Sequence, residues 1–208
     1  MIDLYSFQRS DVVSRLMTEN EPFQPTLTSS RQANIDDDGD TSWWDGFEPA
    51  YRWMINEMEH AGLTRPSSDA APVWAWAAWT DDDGKPTRST DTLLEQRETY
   101  YPDCDFLHLR LDETRCLFTR FDQYHCVIND WPVLPIEADQ WDDRKVDDYL
   151  ERHWTEPREA RMAGWRQSII IDHVTPGVTA EWVQATFWTL RPSDIIDIIN
   201  PAEKQQNT

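Results

Sequence analysis

Two groups of residues in this chain have types and spacings that could do chemistry. The first lies near the C-terminus, where Trp182, Gln184, Thr186 and Trp188 alternate with Val183, Ala185 and Phe187. Alternation by two puts the first set on one face of a strand and the second on the other. An amide and a hydroxyl between two indoles would form a pocket floor, with Trp182 or Trp188 as a stacking wall. Such a pair is wasteful on a wet surface and costly in a dry core, so a groove suits it best. Gln184 can orient a polar ligand, but it cannot ionise and so cannot serve as a general base. The plainer reading is that Gln184 hydrogen-bonds across strands on a half-wet sheet face.

The second group is Asp122, Tyr124, His125 and Asn129. On a helix His125 lies near both Asp122, three residues before it, and Asn129, four after it. His125 would then be an acid–base group oriented by Asp122. Alternatively Asp122 is the helix N-cap and Asn129 the C-terminal cap, with His125 half buried. Cys126 is no thiol–base partner for His125, because adjacent helical residues point about 100° apart. A zinc site from Cys104, His108, Cys116 and His125 matches no standard ligand spacing. The three cysteines are an odd number without a C-x-x-C pair, which predicts free thiols. The run Asp36-Asp37-Asp38-Gly39-Asp40 resembles a calcium loop, but Trp43 and Trp44 interrupt the ligand pattern. No metal is expected.

Positioning these residues requires a sheet and several helices. Residues 4–7 read as a first strand carrying Tyr5 and Ser6, and Ser10 caps a helix with Val12, Val13, Leu16 and Met17 inward. Residues 21–45, with their aspartates, serines and prolines, read as a mobile acidic loop. A helix is predicted over 48–60 and a strand over 73–79, with Trp74 and Trp76 on one face. Residues 106–111 and 115–119 alternate across Asp112-Glu113-Thr114 and suggest a hairpin. A short helix over 123–129 follows, then helical stretches over 142–165 broken at Pro157. Strands are expected over 168–172 and 182–190, and Ser193 caps a last helix over 194–199. The reading is a single α+β domain over 1–200, its sheet mostly antiparallel, with a disordered tail at 201–208. The first and last strands should pair, bringing Tyr5 and Ser6 beside Gln184 and Thr186, with Trp74 and Trp76 next in line.

Nineteen basic and thirty-nine acidic residues give a net charge of −20. That argues against gripping duplex phosphates, since such affinity comes from Lys and Arg displacing counterions. Sixteen of the basic residues are Arg, as coding bias or salt adaptation would leave them. A solvated surface accounts for the acidity, and a nucleic-acid mimic or a module steered to a basic protein partner would share it. Twelve tryptophans are many for one domain: some must be core, and a cluster of exposed ones would mark a pocket or interface, but the sequence does not divide them. No apolar run exceeds the seven residues 73–79, so no membrane span is expected. The N-terminus has no basic start or apolar signal core, which predicts a cytoplasmic protein.

Four segments together resemble a bacterial family, the domain of unknown function 3841. They are Leu4-Tyr5-Ser6-Phe7-Gln8, Ala50-Tyr51-Arg52-Trp53-Met54 with Trp74-Ala75-Trp76, the run 121–129, and the run 183–190. Their order and spacing cover nearly the whole chain, but the family carries no assigned chemistry. A weaker, fold-level resemblance is to small ADP-ribosyltransferase-type domains. These often open with a Leu-Tyr-His strand before a helix and close with a Glu- or Gln-bearing strand before a Pro-led helix. Here Leu4-Tyr5-Ser6 opens the chain and Gln184 precedes Arg191-Pro192-Ser193-Asp194. Ser6 stands where His or Arg is usual, and no glycine follows the first helix.

That resemblance implies NAD or a nucleotide as ligand, held by Tyr5, Ser6, Trp76, Trp182, Thr186 and Trp188. Gln184 would orient the ribose, and His125 with Asp122 would handle protons. Transfer would break the nicotinamide–ribose bond through an oxocarbenium-like transition state, which requires a stacked nicotinamide and a well-placed acceptor. The alternative expectation is a non-catalytic acidic binding module or inhibitor that engages a basic protein partner.

Overall fold

Alternating burial decides which side of the sheet each residue joins. The computed structural model describes residues 1–35 and 39–199. Its strands are β1 (Ile2–Arg9), β2 (Val73–Thr80), β3 (Pro86–Thr87), β4 (Cys104–Leu111), β5 (Leu117–Arg120), β6 (Ile170–Ile171), β7 (Val183–Phe187) and β8 (Ile195–Ile199). They form one antiparallel sheet in the order β6-β5-β7-β2-β1-β4-β8, with β3 paired to β2. The helices are α1 (Ser10–Glu19), α2 (Leu27–Ala33), α3 (Ser42–His60), α4 (Asp91–Tyr100), α5 (Phe121–Ile128), α6 (Asp143–Trp154) and α7 (Arg158–Ile169).

On one face Ile2, Leu4, Val73, Ala75, Leu107, Leu109, Val183, Ala185 and Phe187 pack with Val12, Val13 and Leu16 of α1. The other face is rich in aromatic side chains. Part of it lies under Trp53, Met54 and Met58 of α3, Val127 of α5 and Trp165 of α7. Another part, with Trp76, Trp79 and Phe106, packs against Leu93 of α4. One row of the register crosses this second face. Thr119, Gln184, Trp76, Tyr5, His108 and Asp197 follow one another on β5, β7, β2, β1, β4 and β8. The result is a single α+β domain with helices flanking a mostly antiparallel sheet. Among the described residues no helix is long and apolar enough to cross a membrane.

Several expectations need correction. Residues 21–45 are not one loop. Thr26 and Ser29 form a reciprocal capping box that starts α2, and bridges Phe23–Leu190 and Thr26–Ala70 tie the segment to the body. Helix α3 starts at Ser42 rather than at 48, passing through Pro49, because Trp44 is buried and anchors the added turns. Residues 36–38 and the tail 201–208 lie outside the described residues. β4 and β5 are not a hairpin, since β1, β2 and β7 lie between them. Alternation sets the facing of a strand and leaves its partner open. Within the connection Arg115 donates to both carboxylate oxygens of Asp194, at 2.6 and 2.9 Å, and to the Thr189 carbonyl.

Residues 195–199 form an edge strand paired with β4, not a helix. Isoleucines at 195, 196, 198 and 199 fit either period, and β-branching favours the strand. Ser168 and Ile169 complete α7, leaving only two residues for β6. The first and last strands are not neighbours. β2 separates β1 from β7, and β4 separates β1 from β8.

Candidate functional site

Where β1, β2 and β7 run side by side, the aromatic face is only partly covered. Helices α3 and α5 stand back from the strands and leave a pocket of about 320 Å³. The sheet supplies Tyr5, Ser6, Phe7, Trp74, Ala75, Trp76 and Gln184. The helices supply Phe47, Tyr51, Phe121, Tyr124 and Ile128, and Tyr101 closes one side. Helical spacing explains these contributions. Phe47 and Tyr51 are four apart on α3, and Phe121, Tyr124 and Ile128 fall on one stripe of α5.

The rings brace one another. Trp74 lies 5.6 Å from Tyr51 and 5.4 Å from Tyr124, centroid to centroid. Trp76 meets Phe121 and Trp182 edge-on at 4.9 and 5.0 Å. Tyr5 stacks flat on His108 at 4.8 Å, and Phe7 on Tyr101 at 5.1 Å. Among the described residues no charged side chain lines the pocket.

Three buried polar atoms around this space have no hydrogen-bond partner among the described residues: Gln184 Oε1, Trp74 Nε1 and Tyr124 OH. The Trp74 indole N–H faces the Tyr51 hydroxyl without reaching hydrogen-bond geometry. Each such group costs about 1–3 kcal/mol when left unsatisfied. Burial raises the Tyr5, Tyr51, Tyr101 and Tyr124 phenols above their ordinary value, Tyr124 most strongly. All four therefore remain neutral hydroxyls. The Ser6 hydroxyl is already committed, donating to the Trp74 carbonyl at 2.6 Å and accepting from Gln8 Nε2 at 2.8 Å.

The structure thus brings Tyr5, Ser6, Trp76 and Gln184 together, with Trp74 between them. It does not bring the other predicted residues to this pocket. Thr186 is fully buried under α3, its hydroxyl donating to the Leu117 carbonyl at 3.4 Å. Trp188 is buried too, its indole N–H donating to the Leu63 carbonyl at 3.1 Å. β7 passes beneath the helix after Gln184, so the alternation continues but the space above it is filled. Trp182 touches Trp76 but faces the opposite flank of α5, donating to Thr80 Oγ1 at 3.1 Å.

Asp122 and His125 are exposed, and no hydrogen bond or ion pair joins them. With Phe121, Tyr124 and Ile128 turned to the pocket, helical geometry points both elsewhere. Asp122 is not the N-cap either. Arg120 holds that position, while Asn129 does cap the C-terminus and donates to the His125 carbonyl at 2.8 Å. Cys104, Cys116 and Cys126 are free thiols, and burial pushes Cys116 up to about 12.

Phe47, Tyr51, Tyr101, Phe121 and Tyr124 were not among the predicted site residues. The only sequence signal for them is the density of aromatic residues on the inward stripes of two helices, which equally describes core. Compared with known proteins, the chain matches no family model, no curated protein and no solved structure.

Proposed function

We propose that this domain binds a nucleotide-type ligand through a flat, uncharged ring, either a nucleobase or the nicotinamide of NAD. One observation carries the reading: three buried polar atoms without partners among the described residues surround a pocket otherwise walled by aromatic rings. A flat ring stacks on such walls, and an amide-like edge answers the polar atoms. The ligand's N–H donates to Gln184 Oε1, and its carbonyl or ring nitrogen accepts from Trp74 Nε1 or the Tyr124 hydroxyl. No lining cation meets a phosphate chain, so any phosphates extend toward solvent. The lining also holds no carboxylate or imidazole, and Gln184 cannot take a proton. The geometry therefore favours binding over turnover.

The test titrates nicotinamide, NAD, adenosine and uridine into the protein, followed by tryptophan fluorescence and thermal melting. At least one should quench the fluorescence and raise Tm; a hundredfold excess over Kd stabilises by about 2.7 kcal/mol. Gln184→Ala should weaken that ligand at least tenfold and leave the melt of the free protein within about 2 °C of wild type. Chromatography should recover NAD intact. A panel without any shift, or a Gln184→Ala variant that binds unchanged, overturns the proposal. Release of free nicotinamide replaces it with the transferase reading.

A further inference from the structure

A second and larger concavity, of about 710 Å³, opens on the other flank of α5. Trp131 and Trp154 stand at its mouth with ring centroids 6.3 Å apart, 47% and 56% exposed, and Ile136 beside them is 60% exposed. Large apolar side chains left in water at one place mark an interaction surface. The wall run Trp131-Pro132-Val133-Leu134-Pro135-Ile136 contains no charged or hydrogen-bonding side chain apart from the Trp131 indole. Val133 is itself buried and seats this wall on the core beneath it. An apolar wall that ends in exposed indoles suits the apolar side chains of a docked peptide.

The surrounding charge selects which peptide. Asp122 lines the groove and makes no ion pair among the described residues, whereas Glu181 there is held by Arg120 at 2.6 Å. From Asp122 to Glu156 the chain carries ten acidic residues against three basic ones. A second copy of this chain, itself at −20, is repelled from such a surface. We propose that the groove docks a short extended segment of a partner protein, apolar at alternate positions and basic between them. Apolar side chains seat against Trp131, Trp154 and Ile136, and a Lys or Arg reaches Asp122. This interaction is independent of the aromatic pocket.

Fluorescence anisotropy on the full chain tests it with two labelled nine-residue peptides, one alternating Leu with Lys and the other Leu with Glu. The Lys peptide should bind and the Glu peptide should not. Trp131→Ser with Trp154→Ser should weaken binding at least tenfold, read at a temperature where circular dichroism shows the variant folded. Asp122→Asn should weaken it severalfold. Replacing Asp81, Asp82 and Asp83 together by Asn, on an exposed turn elsewhere, should leave affinity within twofold. The proposal fails if this triple variant loses as much as the indole pair, because attraction is then unspecific. It also fails if both peptides bind alike. A dimer in sedimentation that Trp154→Ser dissociates would assign the groove to a second copy and overturn the proposal as well.

Discussion

Gln184 shows how one position can be polar, buried and unpartnered within the protein. Its register neighbours are Trp76 on β2 and Thr119 on β5, neither of which bonds its amide oxygen. Its nearest companions in the pocket are phenols and indoles rather than ionisable acids. That fixes a pH signature. An ordinary tyrosine begins to ionise above about pH 9, but burial raises Tyr5, Tyr51, Tyr101 and Tyr124 and keeps them protonated further into base. Affinity for nicotinamide, which does not itself titrate there, should stay constant within a factor of about two between roughly pH 6 and pH 9.5. A break near pH 7 in isothermal titration would mean that an imidazole or another group governs the site.

At the scale of elements, α3 does the most to shape the pocket, and its early turns depend on one side chain. Trp44 is buried where the helix precedes Pro49, whose missing N–H weakens the helix at that point. Trp44→Ala should cost about 3 kcal/mol or more, lowering Tm by roughly 6–12 °C for a chain of this size. Limited proteolysis should then cut within residues 39–48 before the rest of the chain. Unchanged protection there would show that Thr41 and Asp45, joined by a 2.9 Å hydrogen bond, suffice to hold the turn.

The same helix shows what the sequence could and could not reveal. The period of two was legible: it put Trp74 and Trp76 on one face of β2, and Gln184 and Thr186 on one face of β7, and the register between the strands joins the two sets. Strand partners were not legible. The alternation of β4 and β5 suits a hairpin, yet β7, β2 and β1 lie between them, and Arg115 in their connection pairs with the distant Asp194. Tyr51 and Tyr124 read as core because a helical stripe looks the same whether its outer end meets packing or a pocket. Thr186 and Trp188 read as site because alternation carries no information about where a covering helix stops.

At the scale of the whole molecule, a net charge of −20 acts on every equilibrium at once. Self-repulsion disfavours the compact state and is screened over about 8 Å at physiological salt. Raising sodium chloride from about 0.02 M to about 0.5 M should therefore raise Tm by a few degrees. A Tm that falls with salt would show that surface ion pairs outweigh the repulsion.

The last strand gives that charge a second meaning. Among the described residues β8 is an outer sheet edge with Ile196 and Ile198 exposed and Asp197 between them. Such an edge is a template for another chain's strand, and a charge on it is a guard against that. The salt that steadies each molecule also removes the repulsion between molecules. Light scattering should accordingly rise over the same titration in which Tm rises, and rise further in Asp197→Ala. Concentrated solutions of this protein would then keep best at low ionic strength, where the single molecule is least stable but the suspension is most so.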